Sequence, residues 1–64
     1  MTPADLRVWA QKMGYTTPDL AAQALGVSRA TYFRLLSGPV EIDRRTALAC
    51  AALAAGLGPY QSLP

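Results

Sequence analysis

The sequence predicts an all-α domain of four to five short helices. Three observations carry that expectation. Helix-capping residues recur before segments whose apolar residues follow helical spacing: Thr2, Thr16 or Thr17, Ser28 and Asp43. Glycines at 14, 26, 38 and 56 fall where those segments would stop. The β-branched residues are scattered, and no stretch alternates apolar and polar residues with the period of a strand.

The first helix is expected from "TPAD", with Thr2 as N-cap, Pro3 at the first helical position and Asp5 as the acid of a capping box. Leu6, Trp9, Ala10 and Met13 give its inward stripe, and Gly14 stops it. In "TTPDL" the same device starts a second helix, about residues 17–25, with Pro18 in the first turn and Asp19 near the positive end of the helix dipole. Gly26 and Val27 leave room only for a tight turn before Ser28 caps the third helix, about 28–37. Gly38 ends that helix and Pro39 prevents its continuation. After "GPVEI", Asp43 can cap a fourth helix through "RRTALACAALAA" to a stop at Gly56. Residues 1–57 therefore form one domain, and 58–64, rich in glycine and proline, form an irregular tail or a single turn.

Composition bounds the function. A 64-residue chain with 52% hydrophobic and 16% charged residues is a folding composition with a small core. With a single cysteine, Cys50, and no histidine, neither a disulfide framework nor a zinc site is expected, and Cys50 is read as a small buried side chain. The N-terminus has no basic segment followed by an apolar run. The longest apolar run, Ala47 to Leu57, is far short of the roughly 20 residues that span a bilayer, so the expected location is cytoplasmic, away from membranes. The net charge is only +2, yet Arg29, Arg34, Arg44 and Arg45, four of the six basic residues, are concentrated in the central part of the chain.

A short helix, a glycine-containing turn and a second helix with an inward stripe make up the sequence form of a helix-turn-helix. Here Ala22 is small where the helices would cross, and Val27, Tyr32, Leu35 and Leu36 supply the inward contacts. Phe33 falls nearly opposite, beside Ala30, Arg34 and Ser37. Within "TPDLAAQALGVSRATYFRLLSG" the residues Ala22, Leu25, Gly26, Val27, Ser28, Thr31, Leu35 and Gly38 resemble the phage Cro/lambda-type repressor family, also called the xenobiotic response element family. The resemblance covers about residues 3 to 57 and implies a lambda-repressor-like domain that binds operator DNA as a dimer. Two positions depart from the family pattern. Where many members pair an arginine of the first helix with a glutamate ending the third, this chain has Ala10 and Leu36, an exchange that such folds often tolerate. Where a glutamine commonly contacts a phosphate, Pro18 has no hydrogen to donate, which drops that contact or passes it to Thr16 or Thr17.

What the resemblance implies for the site is specific. The outward face of the third helix, Ser28, Arg29, Ala30, Phe33 and Arg34, would lie in the major groove. Arginine can bond guanine bidentately there, and Phe33 and Ala30 can pack on thymine methyls. Phe33 could instead touch the tail near Tyr60 or face a protein partner. Arg44 and Arg45 begin the fourth helix, where cations oppose the dipole, so phosphate contact explains them better than helix stability. The plain alternative is a solvated pair beside Glu41 and Asp43. Thr17, Thr31 and Ser37 can add neutral phosphate bonds. The fourth helix has no polar face between Ala47 and Leu57, and a dimer interface is expected there and in the tail, from Leu53, Leu57, Tyr60 and Leu63.

The expected function is a sequence-specific transcriptional regulator of phage or mobile-element type, a dimer that represses by covering a promoter. The competing expectation is a protein-interaction module, antitoxin-like or a co-regulator, using the helix-turn-helix and fourth-helix surfaces. An enzyme is not expected, since there is no histidine, no glycine-rich phosphate loop and no paired acids on one face. Neither a cofactor nor a small-molecule ligand is expected.

Overall fold

The computed structural model describes residues 1–38 and 41–62, which form four α-helices and no strands. They are α1 (Pro3–Met13), α2 (Pro18–Leu25), α3 (Arg29–Ser37) and α4 (Arg44–Ala54). Each begins at a side-chain cap. The Thr2 hydroxyl accepts from the Asp5 amide at 3.1 Å while the Asp5 carboxylate accepts from the Thr2 amide at 2.9 Å, a complete capping box. These bonds hold the Asp5 carboxyl below the usual carboxylate range. Of the two threonines offered by the sequence, Thr17 is the cap of α2, accepting from the Leu20 amide at 3.4 Å.

α1 and α2 end on Gly14 (φ 80°) and Gly26 (φ 75°), in the left-handed region that glycine enters without the Cβ penalty. α3 ends differently. Gly38 has φ −71° and ψ 147°, the extended form favoured before proline, and its amide bonds back to the Arg34 carbonyl. α4 stops at Ala54, one turn-residue before Gly56, because the Ala55 amide already folds back onto the carbonyls of Ala51, Ala52 and Leu53.

Leu6, Trp9 and Ala10 of α1, Ala21 and Ala22 of α2, Tyr32 of α3, Cys50 of α4 and Ile42 in the loop before α4 make the core. The alanines let α2 approach closely, and Leu6, fully buried, sits at the centre. α2 packs mainly on α3, while α1 packs on α3 and α4. No polar or charged residue is buried among the described residues. Among the described residues, three long-range hydrogen bonds tie the elements. The Trp9 indole donates to the Cys50 carbonyl at 3.0 Å, the Ile42 amide to the Met1 carbonyl at 2.9 Å, and Arg7 to the Leu36 carbonyl at 3.3 Å. Ala10 is buried, Leu36 packs against the core, and Arg7 caps the negative end of α3 from outside.

Candidate nucleic-acid interface

The turn between α2 and α3 consists of Gly26, Val27 and Ser28. Val27 is half-buried against the core, and its amide bonds to the Ala22 carbonyl at 3.0 Å. Ser28 caps α3: its Oγ accepts from the Thr31 amide at 3.1 Å and donates to the Thr31 hydroxyl at 2.9 Å. Such a short, doubly bonded turn leaves little freedom in the angle between the helices.

α3 divides as the sequence spacing predicts. Tyr32 is buried, and Leu35 and Leu36 pack against the core. Arg29, Ala30, Phe33, Arg34 and Ser37 are exposed. Phe33 is 42% exposed, which is costly for an aromatic that serves only the fold. Tyr60, at 92% exposure, is too far in solvent to cover it. The Arg29 guanidinium carbon lies 5.3 Å from the Phe33 ring centroid, and its Nε lies 3.2 Å from Oδ1 of Asp19 on α2. Arg34 has no ion-pair partner among the described residues and projects its charge freely.

Among the residues expected to contact bases, Arg29, Ala30, Phe33 and Arg34 thus share one exposed surface. Ser28 lies at its N-terminal edge, with its hydroxyl occupied in capping.

Four of the six expected phosphate ligands line two grooves, and Ser37 and Arg44 line neither. Thr16 and Thr17 line a shallow groove of about 410 Å³ together with Arg7, Gln11, Tyr32 and Leu36. Thr31 and Arg45 line another, about 360 Å³, with Asp43 and Thr46. Thr17 accepts a bond in its cap, and its hydroxyl proton stays available for donation. Ser37 does not, because its hydroxyl donates to the Phe33 carbonyl at 3.0 Å.

At the start of α4, the Asp43 carboxylate accepts from the Thr46 hydroxyl at 2.7 Å and from the Thr46 amide at 3.2 Å. The hydroxyl bond first, and the amide bond with it, hold the Asp43 carboxyl below its usual range. A carboxylate therefore already occupies the helix N-terminus, and an incoming phosphate would depend on the arginine side chains. Arg45 Nε stands 3.7 Å from Asp43, whereas Arg44 is exposed with no ion pair among the described residues.

The residues expected at a dimer interface separate. Leu53 is half-buried against the core and, with Leu25, Ala52, Leu57 and Pro59, lines an apolar groove of about 270 Å³ between α2, α4 and the tail. Leu57 and Tyr60 are exposed, and Leu63 lies outside the described residues.

Sequence reasoning missed two members of this surface. Asp19 reads in sequence only as a helix-dipole acid, and its partner Arg29 lies on another helix. Arg7 has no local signature for its reach to α3. Tyr15, which the sequence does not place, packs edge-on against Trp9 with centroids 5.4 Å apart. Burial pushes the Cys50 thiol up to about 11, which makes it a poor nucleophile at neutral pH. Among the described residues no acidic or cysteine cluster could hold a metal, and no helix is long and apolar enough to cross a membrane. Comparison with protein-family models, with curated proteins and with solved structures finds no match to this chain.

Proposed function

We propose that this chain is a sequence-specific double-stranded DNA-binding regulator of the Cro/lambda-repressor kind, which inserts α3 into the major groove. The observation that carries the reading is the division of α3. Tyr32, Leu35 and Leu36 anchor the helix to the core, while Arg29, Ala30, Phe33 and Arg34 stand outward together. Guanidinium forks and apolar contacts are two of the chemistries by which major-groove base edges are read. Arg44, Arg45 and the hydroxyls of Thr16, Thr17 and Thr31 supply sequence-independent phosphate contacts on either side.

One protomer with these few cations binds weakly, and a homodimer doubles the contact set across two half-sites about 34 Å apart. The apolar groove at Leu53 and Leu57 is the face proposed for that pairing. A dimer seated over a promoter represses by excluding polymerase.

The test is a fluorescence-anisotropy titration of enriched and scrambled duplexes, comparing the protein with Arg34→Ala. Loss of preference for the enriched duplex, with the fold intact, supports the reading; an unchanged preference overturns the assignment of α3 as reader. A second reading, a protein-interaction module, is favoured by one observation: the same groove, with Leu57 and Tyr60 exposed beside it. Binding of a protein partner through that groove would be insensitive to salt, whereas phosphate binding falls steeply with it.

A further inference from the structure

We propose that Asp19 is a positioning residue that makes Arg29 a reader of guanine. The inference rests on the DNA-binding reading above and assigns the base that one part of α3 recognises. Arg29 is the first residue of α3, where a cation opposes the helix dipole, so helix stability does not account for it. Its guanidinium is flanked on two sides by residues of two helices, at an exposed surface. Asp19 Oδ1 lies 3.2 Å from Nε, and the Phe33 ring lies beneath, 5.3 Å from centroid to Cζ. Both partners are themselves placed. Asp19 follows Pro18 in the first turn of α2, and Phe33 stands one turn beyond Arg29 on the same face.

An arginine engaged through Nε keeps Nη1 and Nη2 as a forward fork. That pair matches the two acceptors of guanine, O6 and N7, whereas adenine sets an amino donor against one arm of the fork. Phe33 keeps exposed apolar surface beside the fork, suited to the methyl group of a thymine neighbouring that guanine. Asp19 also offsets the charge of Arg29. Arg29 therefore adds base selectivity and little salt dependence, while Arg44, with no ion pair among the described residues, carries general attraction to phosphate.

The experiment selects the best-enriched duplex from a randomised pool, then titrates it and its single-base variants with the protein and with Asp19→Asn, Asp19→Glu, Arg29→Ala and the Asp19→Asn/Arg29→Ala double variant. Each titration is repeated across a salt series, and each protein is melted to monitor its fold. In Asp19→Asn, discrimination at one guanine is expected to fall about two- to fivefold, the range set by an exposed ion pair. Affinity for scrambled DNA is expected to rise, with a salt slope steeper by about 0.9 per released arginine. Asp19→Glu restores the guanine preference, and Asp19→Asn has no further effect on it once Arg29 is alanine. An unchanged guanine preference and salt slope in Asp19→Asn, or unchanged specificity in Arg29→Ala, overturns this inference alone and leaves DNA binding standing. Failure of the unaltered protein to enrich any duplex overturns both.

Discussion

Replacing Arg44 by alanine tests the electrostatic half of the proposal, and the size of its effect follows from the surroundings of the side chain. Arg44 is exposed at the first position of α4 and has no ion-pair partner among the described residues, so its full charge is available to a phosphate. Each phosphate contact on B-DNA contributes about −0.9 to the slope of log affinity against log salt, which is roughly 3.5-fold in affinity between 50 and 200 mM salt. A dimer losing two such contacts should show a slope shallower by about 1.8, and its disadvantage against the parent should narrow about 12-fold over that range. The loss should be the same on specific and scrambled duplexes, because phosphates carry no sequence. Thermal stability should hold or rise slightly, since a cation at a helix N-terminus opposes the dipole. Anisotropy titrations at four salt concentrations, with melting by circular dichroism, give all three quantities. An unchanged slope, or a loss confined to the specific duplex, would refute the reasoning.

Three further predictions concern the scaffold that holds the face. Leu6→Ala empties the centre of the core and should cost about 3–5 kcal/mol. A chain of this size has roughly 3–10 kcal/mol of stability in all, so the variant should lose about a third of it or more in a chemical-denaturation titration; a change under about 1 kcal/mol would contradict the assigned core. Gly26→Ala meets no atom within 4 Å, so it pays only for the left-handed backbone, about 1–2 kcal/mol; Gly26→Asn should recover part of this in a urea melt. Asp43 has a depressed folded-state pKa, so its contribution is present above the ordinary carboxylate pKa and is lost as pH falls through the depressed value. Asp43→Asn keeps a cap without the titration, and its melting temperature should fall less than the parent's between pH 5 and about pH 2. Equal falls would show that the Asp43 bonds to Thr46 do not stabilise the fold.

The elements were legible because their ends are set by local chemistry. Thr2 with Asp5, Ser28 with Thr31 and Asp43 with Thr46 are all three residues apart, within reach of one helical turn. The inward stripe of α3 was legible for the same reason, since Tyr32, Leu35 and Leu36 fall on one side by periodicity alone. What joins the helices was not. The bonds from Trp9 to Cys50, Arg7 to Leu36 and Ile42 to Met1 link residues far apart in the chain, and nothing in the local pattern marks them. Ile42 shows the difficulty: between an exposed Glu41 and the Asp43 cap it reads as loop, yet it is a core residue. The candidate site was legible in part. The exposure of Phe33 followed from spacing, whereas the pairing of Arg29 with Asp19 required the turn to bring two helix N-termini together.

The measurement that bears most directly on the central claim is selection of binding sites by the unaltered protein from a randomised duplex pool, followed by sequencing of the enriched fraction. Insertion of α3 by a two-fold symmetric dimer predicts a palindromic motif with half-site centres about 10 base pairs apart, and a guanine in each half-site. A pool that stays random, with only weak salt-sensitive binding, would contradict the account and turn the Phe33 face and the Leu57 groove into surfaces for a protein partner.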